Sequence, residues 1–288
     1  MLNVEGADGA DALRFQDALT RTVRVSGIDF AYRALGKGST VPLVMLNHWG
    51  ANLDNFDPRI VDGLAAGRCV IALDYRGVGR SGGPAPLTVR GMAQDVISVI
   101  RALGLVEVDV LGFSLGGFVA QDVVMHEPDL IRRVILTGTG PAGGVGIQKV
   151  GSVSWPLVIK GLLTFTDPKA YLFFTSTPNG RRAAKAFLTR LKERTEDRDE
   201  PVPPKVFLRQ LKAIKAWGQQ APQDLASIRK PVLVANGDHD IMVPTQNSID
   251  LAERIPGAEL HIYDDAGHGG IFQYHAEFVD TARSFLDG

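Results

Sequence analysis

Ser114 has a glycine two residues to either side, in the run Gly112-Phe113-Ser114-Leu115-Gly116-Gly117. A serine in this setting can serve as a nucleophile if it sits on a sharp turn that holds its hydroxyl clear of the backbone. The small neighbours then let the flanking elements close around it. A hydroxyl attacks poorly at its own pKa, so it needs an imidazole to take its proton and a carboxylate to fix the tautomer of that imidazole. Both kinds of residue occur further along the chain. Asp238 and Asp240 lie in Asn236-Gly237-Asp238-His239-Asp240-Ile241-Met242-Val243-Pro244, and His268 lies in Asp264-Asp265-Ala266-Gly267-His268-Gly269-Gly270. Serine, then aspartate, then histidine is the chain order that accompanies a G-x-S-x-G turn. The pattern alone is weak, because an ordinary strand-to-helix turn with a capping serine also satisfies it.

The elements around these residues supply the context that chemistry would require. Val106 to Leu111 alternates and is rich in valine, as a strand would be. Leu115 to Glu127 carries Leu115, Phe118, Val119 and Val123 at helical spacing. The start of that helix brings the Leu115 amide beside the hydroxyl, where it can face a developing oxyanion. Further strands are expected at Val41 to Asn47, Cys69 to Leu73, Arg133 to Thr137, Pro231 to Ala235 and Glu259 to Tyr263. Thr22 to Ser26 and Ile28 to Leu35 read as a hairpin around Gly27. Helices are expected from Asp57 or Pro58 to Ala66, from a Thr88 cap to Leu103, from Thr245 to Arg254 and from Tyr274 to Leu286. Loops that follow parallel strands share one sheet edge, so Ser114, one of the two aspartates and His268 can meet there. Of the six histidines, His268 combines a position after a strand with flanking glycines that permit close approach. His48 also follows an internal strand and is a candidate to line the site.

The 288 residues allow one large α/β domain, and the 45% hydrophobic and 22% charged content is that of a soluble globular chain. With 31 basic and 32 acidic residues, no long-range attraction to nucleic acid or to an anionic membrane is expected. The expected partner is a small-molecule substrate, and the oligomeric state is left open, a homodimer included. The lone Cys69 cannot form an internal disulfide and reads as a strand thiol. Residues 1–20 carry acids without an apolar signal core and read as a loosely attached arm. A cytoplasmic location is the expectation. Gly77, Gly79 and Gly82 meet a dinucleotide-binding spacing, yet Pro84 and Pro86 follow where a helix would have to open, which argues against that use. Between Gly138 and Ser227 the strand–helix alternation stops. Aromatic residues and helical stretches near 180–194 and 204–218 suggest a helical cap over residues 142–227, inserted into a core of residues 21–141 and 228–288.

Taken together, Gly112 to Gly117, Asp74-Tyr75-Arg76-Gly77-Val78-Gly79-Arg80-Ser81, Gly237 to Pro244 and Gly267-His268 resemble the α/β-hydrolase superfamily over about residues 21–288. The resemblance implies an eight-stranded, mostly parallel sheet with a helical cap after strand six. It also implies the acid: the family pattern G-x-x-D-x-x-V-P points to Asp240, with Asp238 as a turn residue. Asn47-His48-Trp49-Gly50 departs from the family's His-Gly-bulky pattern after strand three. Aligned on the bulky residue, Trp49 supplies the second oxyanion amide; aligned on the histidine, Gly50 does. The Trp49 alignment is preferred because it keeps the spacing to Phe56. The expected activity is that of a serine hydrolase acting through Ser114, His268 and Asp240 on an ester-like bond of a small, largely apolar substrate, with no metal or organic cofactor. Serine at the nucleophile position argues against dehalogenase and epoxide hydrolase chemistry. Carbon–carbon bond hydrolysis, perhydrolysis or a receptor role with the triad retained are the alternatives the superfamily offers. His48, Trp155, Phe165 and Met242 are the expected substrate-contacting residues.

Overall fold

Stretches that are apolar at nearly every position become the central strands of one sheet, because both of their faces are covered. The computed structural model describes residues 14–38 and 41–288. Its strands are β1 (Arg21–Val25), β2 (Ile28–Leu35), β3 (Leu43–Leu46), β4 (Val70–Leu73), β5 (Val108–Phe113), β6 (Ile131–Thr137), β7 (Val232–Gly237) and β8 (Glu259–Tyr263). They are arranged in the order β1-β2-β4-β3-β5-β6-β7-β8. Pairing is antiparallel for β1 with β2 and β2 with β4, and parallel from β4 across to β8. Every residue of β3, β4, β5 and β7 is buried, whereas β1 alternates as an edge strand should.

The helices are α1 (Pro58–Ala65), α2 (Val89–Ala102), α3 (Leu115–His126), α4 (Val150–Leu163), α5 (Lys169–Leu172), α6 (Pro178–Arg190), α7 (Pro204–Gly218), α8 (Gln246–Arg254), α9 (Gly270–Gln273) and α10 (His275–Asp287). Helix α1 starts on Pro58 behind an Asp57 cap, and α2 starts behind Thr88, whose hydroxyl accepts from the Gly91 N–H. Four helices, α4 to α7, lie between β6 and β7. Among the described residues no helix is long and apolar enough to cross a membrane.

Three features differ from the sequence reading. Helix α4, which is not among the helical stretches expected near 180–194 and 204–218, continues through Pro156 and leaves Ile159, Leu162 and Leu163 largely exposed. Strand β5 runs two residues past Leu111, since the ladder with β6 continues to Phe113 opposite Thr137. The expected arm lies outside the described residues up to position 13, but residues 14–20 are tied down rather than loose. Phe15 is buried against Phe56, and the Arg194 guanidinium donates to the carbonyls of Gln16 and Ala18.

Charges fasten the α4–α7 segment to the sheet domain. Arg33 on β2, almost wholly buried, lies 2.8 Å from Asp54 and 3.3 Å from Asp199, which belongs to the stretch between α6 and α7. Arg190 at the end of α6 grips the buried carboxylate of Asp57 in a bidentate pair. Asp74, buried after β4, has its carboxyl pushed well above the usual range by burial and by the neighbouring Asp199 and Asp54, with Arg33 opposing.

Candidate active site

Ser114 stands between β5 and α3 with φ at +56°, in the region that L side chains rarely adopt. Its backbone is fixed on both sides of the residue. The Ser114 N–H donates to the Thr137 carbonyl at 2.9 Å, and the Ser114 carbonyl accepts from the Gly117 N–H and the Thr139 hydroxyl, each at 2.9 Å. The neighbouring glycines are explained by contact. A Cβ on Gly112 would overlap the Gly116 carbonyl, and one on Gly116 would overlap the carbonyl of Leu46 in β3. The turn is therefore as tight as the chain permits, and the strain at Ser114 is held by the packing around it.

Two further loops lie beside it, the His268 ring packing 4.9 Å from that of Phe113, the residue before Ser114. His268 Nδ1 and Asp240 Oδ2 are 2.7 Å apart, and both side chains are fully buried. The other Asp240 oxygen accepts from the Met242 and Val243 amides at 2.8 and 2.9 Å. Asp240 is thus fixed as an acceptor facing the imidazole, with Nε2 as the free ring nitrogen of His268; among the described residues Nε2 has no hydrogen-bond partner. Asp238 does something else: its carboxylate accepts the Ala266 N–H and lies against the exposed His239, bracing one loop on the other. Gly267 and Gly269 are small because the Phe173 backbone crosses here. The Gly269 N–H donates to the Phe173 carbonyl at 2.7 Å, and a Cβ on Gly267 would press on that same carbonyl.

Phe173, just after α5, is the residue the sequence reading missed. Its ring packs on His268 at 5.5 Å, on His48 at 5.1 Å and on Phe113 at 5.6 Å. Phe272 adds a ring 4.8 Å from Phe113. Ser114, His268 and Asp240 are 6%, 1% and 6% exposed under this aromatic layer. No local pattern singles out one phenylalanine of a helical insertion, so sequence carried no signal for it beyond an aromatic-rich segment.

His48 is buried among the same rings. Its Nδ1 lies 2.8 Å from the Trp49 carbonyl, an acceptor, so Nδ1 carries the proton and Nε2 is a bare lone pair. That Nε2 is buried with no partner among the described residues. Burial, then the charge of Lys169, push the His48 pKa down to about 3, with the Trp49 carbonyl opposing and His268 adding to the fall. Trp49 sends its indole N–H to the Phe207 carbonyl of α7 at 2.8 Å and stacks on that ring. The Gly50 amide is occupied by Gln210 Oε1 at 2.9 Å. The Leu115 amide, first in α3, has no intrahelical acceptor.

The remaining expected substrate contacts are scattered. Met242 is buried, and its amide donates to Asp240. Trp155 packs on Phe207 and is 42% exposed, one ring away from Trp49. Phe165 is 99% exposed at the outer end of α4, with a positive φ; it does not join the rings over Ser114 but lines the groove on the outer side of α5 and α6. The Gly-rich turn after β4 leads to no helix before Val89, and its glycines at 77, 79 and 83 adopt positive φ to make a compact loop.

The comparisons with known proteins agree with this architecture. A family model described as alpha/beta hydrolase fold matches residues 41–273. A solved alpha/beta hydrolase fold protein from Chitinophaga pinensis superposes with a TM-score of 0.90 at 38% identity, over 95% of this chain and 99% of that one. A poly(3-hydroxyalkanoate) depolymerase from Ectopseudomonas oleovorans is 31% identical over 81% of this chain and 80% of its own length. A putative carbamate hydrolase, RutD, from Agrobacterium fabrum is 28% identical over 69% of this chain and 75% of its own.

Proposed function

The chain belongs to the α/β-hydrolase fold family and is a hydrolase; from that premise we propose that it cleaves an ester-like bond through Ser114. In this reading His268 Nε2 removes the Ser114 proton as the hydroxyl attacks the carbonyl, and later returns it to the leaving oxygen. Asp240 fixes the Nδ1–H tautomer and stabilises the imidazolium. The amides of Leu115 and Trp49 donate to the tetrahedral oxyanion, Gly50 being engaged by Gln210. Water, activated by the same imidazole, then frees the acyl group. The observation that carries the reading is the buried 2.7 Å pair of His268 and Asp240, with the imidazole's other nitrogen unpartnered, on the loops that flank a serine held at positive φ.

The substrate of this reading is small and largely apolar, as the rings of Phe113, Phe173 and Phe272 favour. It bears one hydrogen-bond donor for the bare Nε2 of His48, a hydroxyl or amide N–H near the scissile carbonyl. Entry requires the Phe173 segment to move, because the triad is covered. The names of the relatives are consistent with ester and carbamate bonds in that class. The test is hydrolysis of p-nitrophenyl esters from acetate to longer chains by the wild type and by Ser114→Ala. Turnover that vanishes in the variant supports the reading, and the optimal chain length sizes the pocket. Turnover that survives Ser114→Ala rejects it.

A further inference from the structure

A groove of about 1070 Å³ runs over the outer face of α5 and α6 and is separate from the covered triad. Its floor is apolar, built from Leu157, Leu172, Phe174 and Leu188. Its rim is cationic: Lys160, Lys169, Arg181, Lys185, Lys192 and Arg198 line it against one carboxylate, Asp167. Asp167 is engaged with Lys169 and its backbone N–H, and Lys160 lies over the Tyr171 ring. This bias is regional. Residues 142–227 hold 14 basic and 7 acidic side chains in a chain whose net charge is −1, so the remainder is acidic. The positive field is concentrated where the groove lies.

The groove also shares a wall with the candidate active site. Leu172, Phe174 and Gly267 line it, while Phe173 between the first two packs on His268, and Gly267 directly precedes that histidine. Lys169 stands at this inner end, near enough for its charge to disfavour protonation of the buried His48. The groove is slightly larger than the usual small-molecule site of about 300–1,000 Å³, such sites being mostly apolar with a few charged anchors.

We propose that this groove is the docking subsite for the part of the substrate remote from the scissile bond, and that it selects an amphiphilic ester whose apolar chain ends in a carboxylate. The inference rests on the serine-hydrolase reading above and adds the substrate's charge and shape to it. The chain lies on the apolar floor, the carboxylate meets the lysine rim, and the ester passes beneath the Phe173 segment to Ser114. Rim cations that are partly exposed each add modestly, so two or three acting together give about tenfold in kcat/KM at low salt.

The experiment pairs mono-p-nitrophenyl esters of α,ω-diacids with p-nitrophenyl esters of monoacids of equal length. The expected result is a kcat/KM ratio of about ten in favour of the anionic ester at long chain lengths. The ratio should shrink towards one as ionic strength rises, and should also fall in Lys185→Glu and in Lys169→Glu. Kinetics of the neutral ester on the same preparations report whether each variant's site is intact. A ratio near one at every chain length, with Ser114-dependent hydrolysis of neutral esters intact, overturns the inference and leaves the serine reading standing. An anionic preference that is indifferent to salt and to both charge reversals also overturns it. Absence of Ser114-dependent turnover on every ester overturns the catalytic reading and this inference with it.

Discussion

Replacing Arg190 with methionine tests how the α4–α7 segment is held on the sheet domain. Its guanidinium donates to Asp57 at 2.9, 3.1 and 2.6 Å and to the Phe272 carbonyl at 3.0 Å. The Asp57 side chain is fully buried and that of Arg190 is 10% exposed. Without the guanidinium, the carboxylate keeps the Arg59 N–H it caps on α1 but loses the charge that compensates its burial. Breaking a buried pair from one side in this way costs about 3–5 kcal/mol. A second pair joins the same two regions, Arg59 with Glu193, but its side chains are 42% and 24% exposed. That pair is worth about 0–1 kcal/mol, because solvent screens it. Urea unfolding should therefore show Arg190→Met losing several times more stability than Arg59→Met. Adding Asp57→Asn to Arg190→Met should recover part of the loss, since the unpaired buried charge is removed. Equal losses in the two single variants, or a full additive loss in the double variant, would refute the argument. Phe272 gives the anchor a link to the site, because its ring stacks on Phe187 at 4.6 Å and meets Phe113 at 4.8 Å.

The geometry sets two further outcomes. Asp240→Asn should lower kcat/KM for a p-nitrophenyl ester by about 10³–10⁴-fold with the fold intact, because the amide no longer fixes the Nδ1–H tautomer; Asp238→Asn, which only braces the Ala266 turn, should cost far less, and comparable losses would reverse the assignment. His48, held neutral down to about pH 3 by burial and by Lys169, takes up a proton more readily in the unfolded chain, where its pKa is ordinary. Stability must then fall as pH drops below about 6.5, by about 2 kcal/mol between pH 6.5 and 5, and His48→Gln should flatten that slope when unfolding is followed at both pH values. An unchanged slope would mean that other groups carry the acid sensitivity.

Much of the sheet is legible in the sequence because its central strands are continuous apolar runs bounded by Gly, Asp and Pro. The expected strand Glu259–Tyr263 has its observed bounds, and those for β3, β4 and β7 lie within a few residues of theirs. The loop positions of Ser114, Asp240 and His268 are legible for a related reason, since parallel strands leave their C-terminal loops on one edge. Helix α4 is not, because Pro156 and Lys160 interrupt an otherwise apolar stretch whose exposed residues give no one-sided pattern. Phe165, at the outer end of α4, is exposed and lines the outer groove rather than the layer of rings over Ser114, a distinction its residue type does not reveal. Charged residues mislead most. Nothing local in the sequence marks Arg33, Asp54, Asp57, Arg190 and Asp199 for burial, yet each is buried, because its partner lies in a distant part of the chain. The closure of Phe173 over His268 belongs to the same class of long-range contact, and so does the reason for Gly267 and Gly269.

The claim on which the account depends is that Ser114 is an activated nucleophile. Labelling with a fluorophosphonate, followed by peptide mass mapping, addresses it without knowledge of the natural substrate. The account predicts a single adduct on Ser114 in the wild type, absent in Ser114→Ala and strongly slowed in His268→Ala. No adduct in the folded wild type, or an adduct on another residue at the same rate, would contradict it.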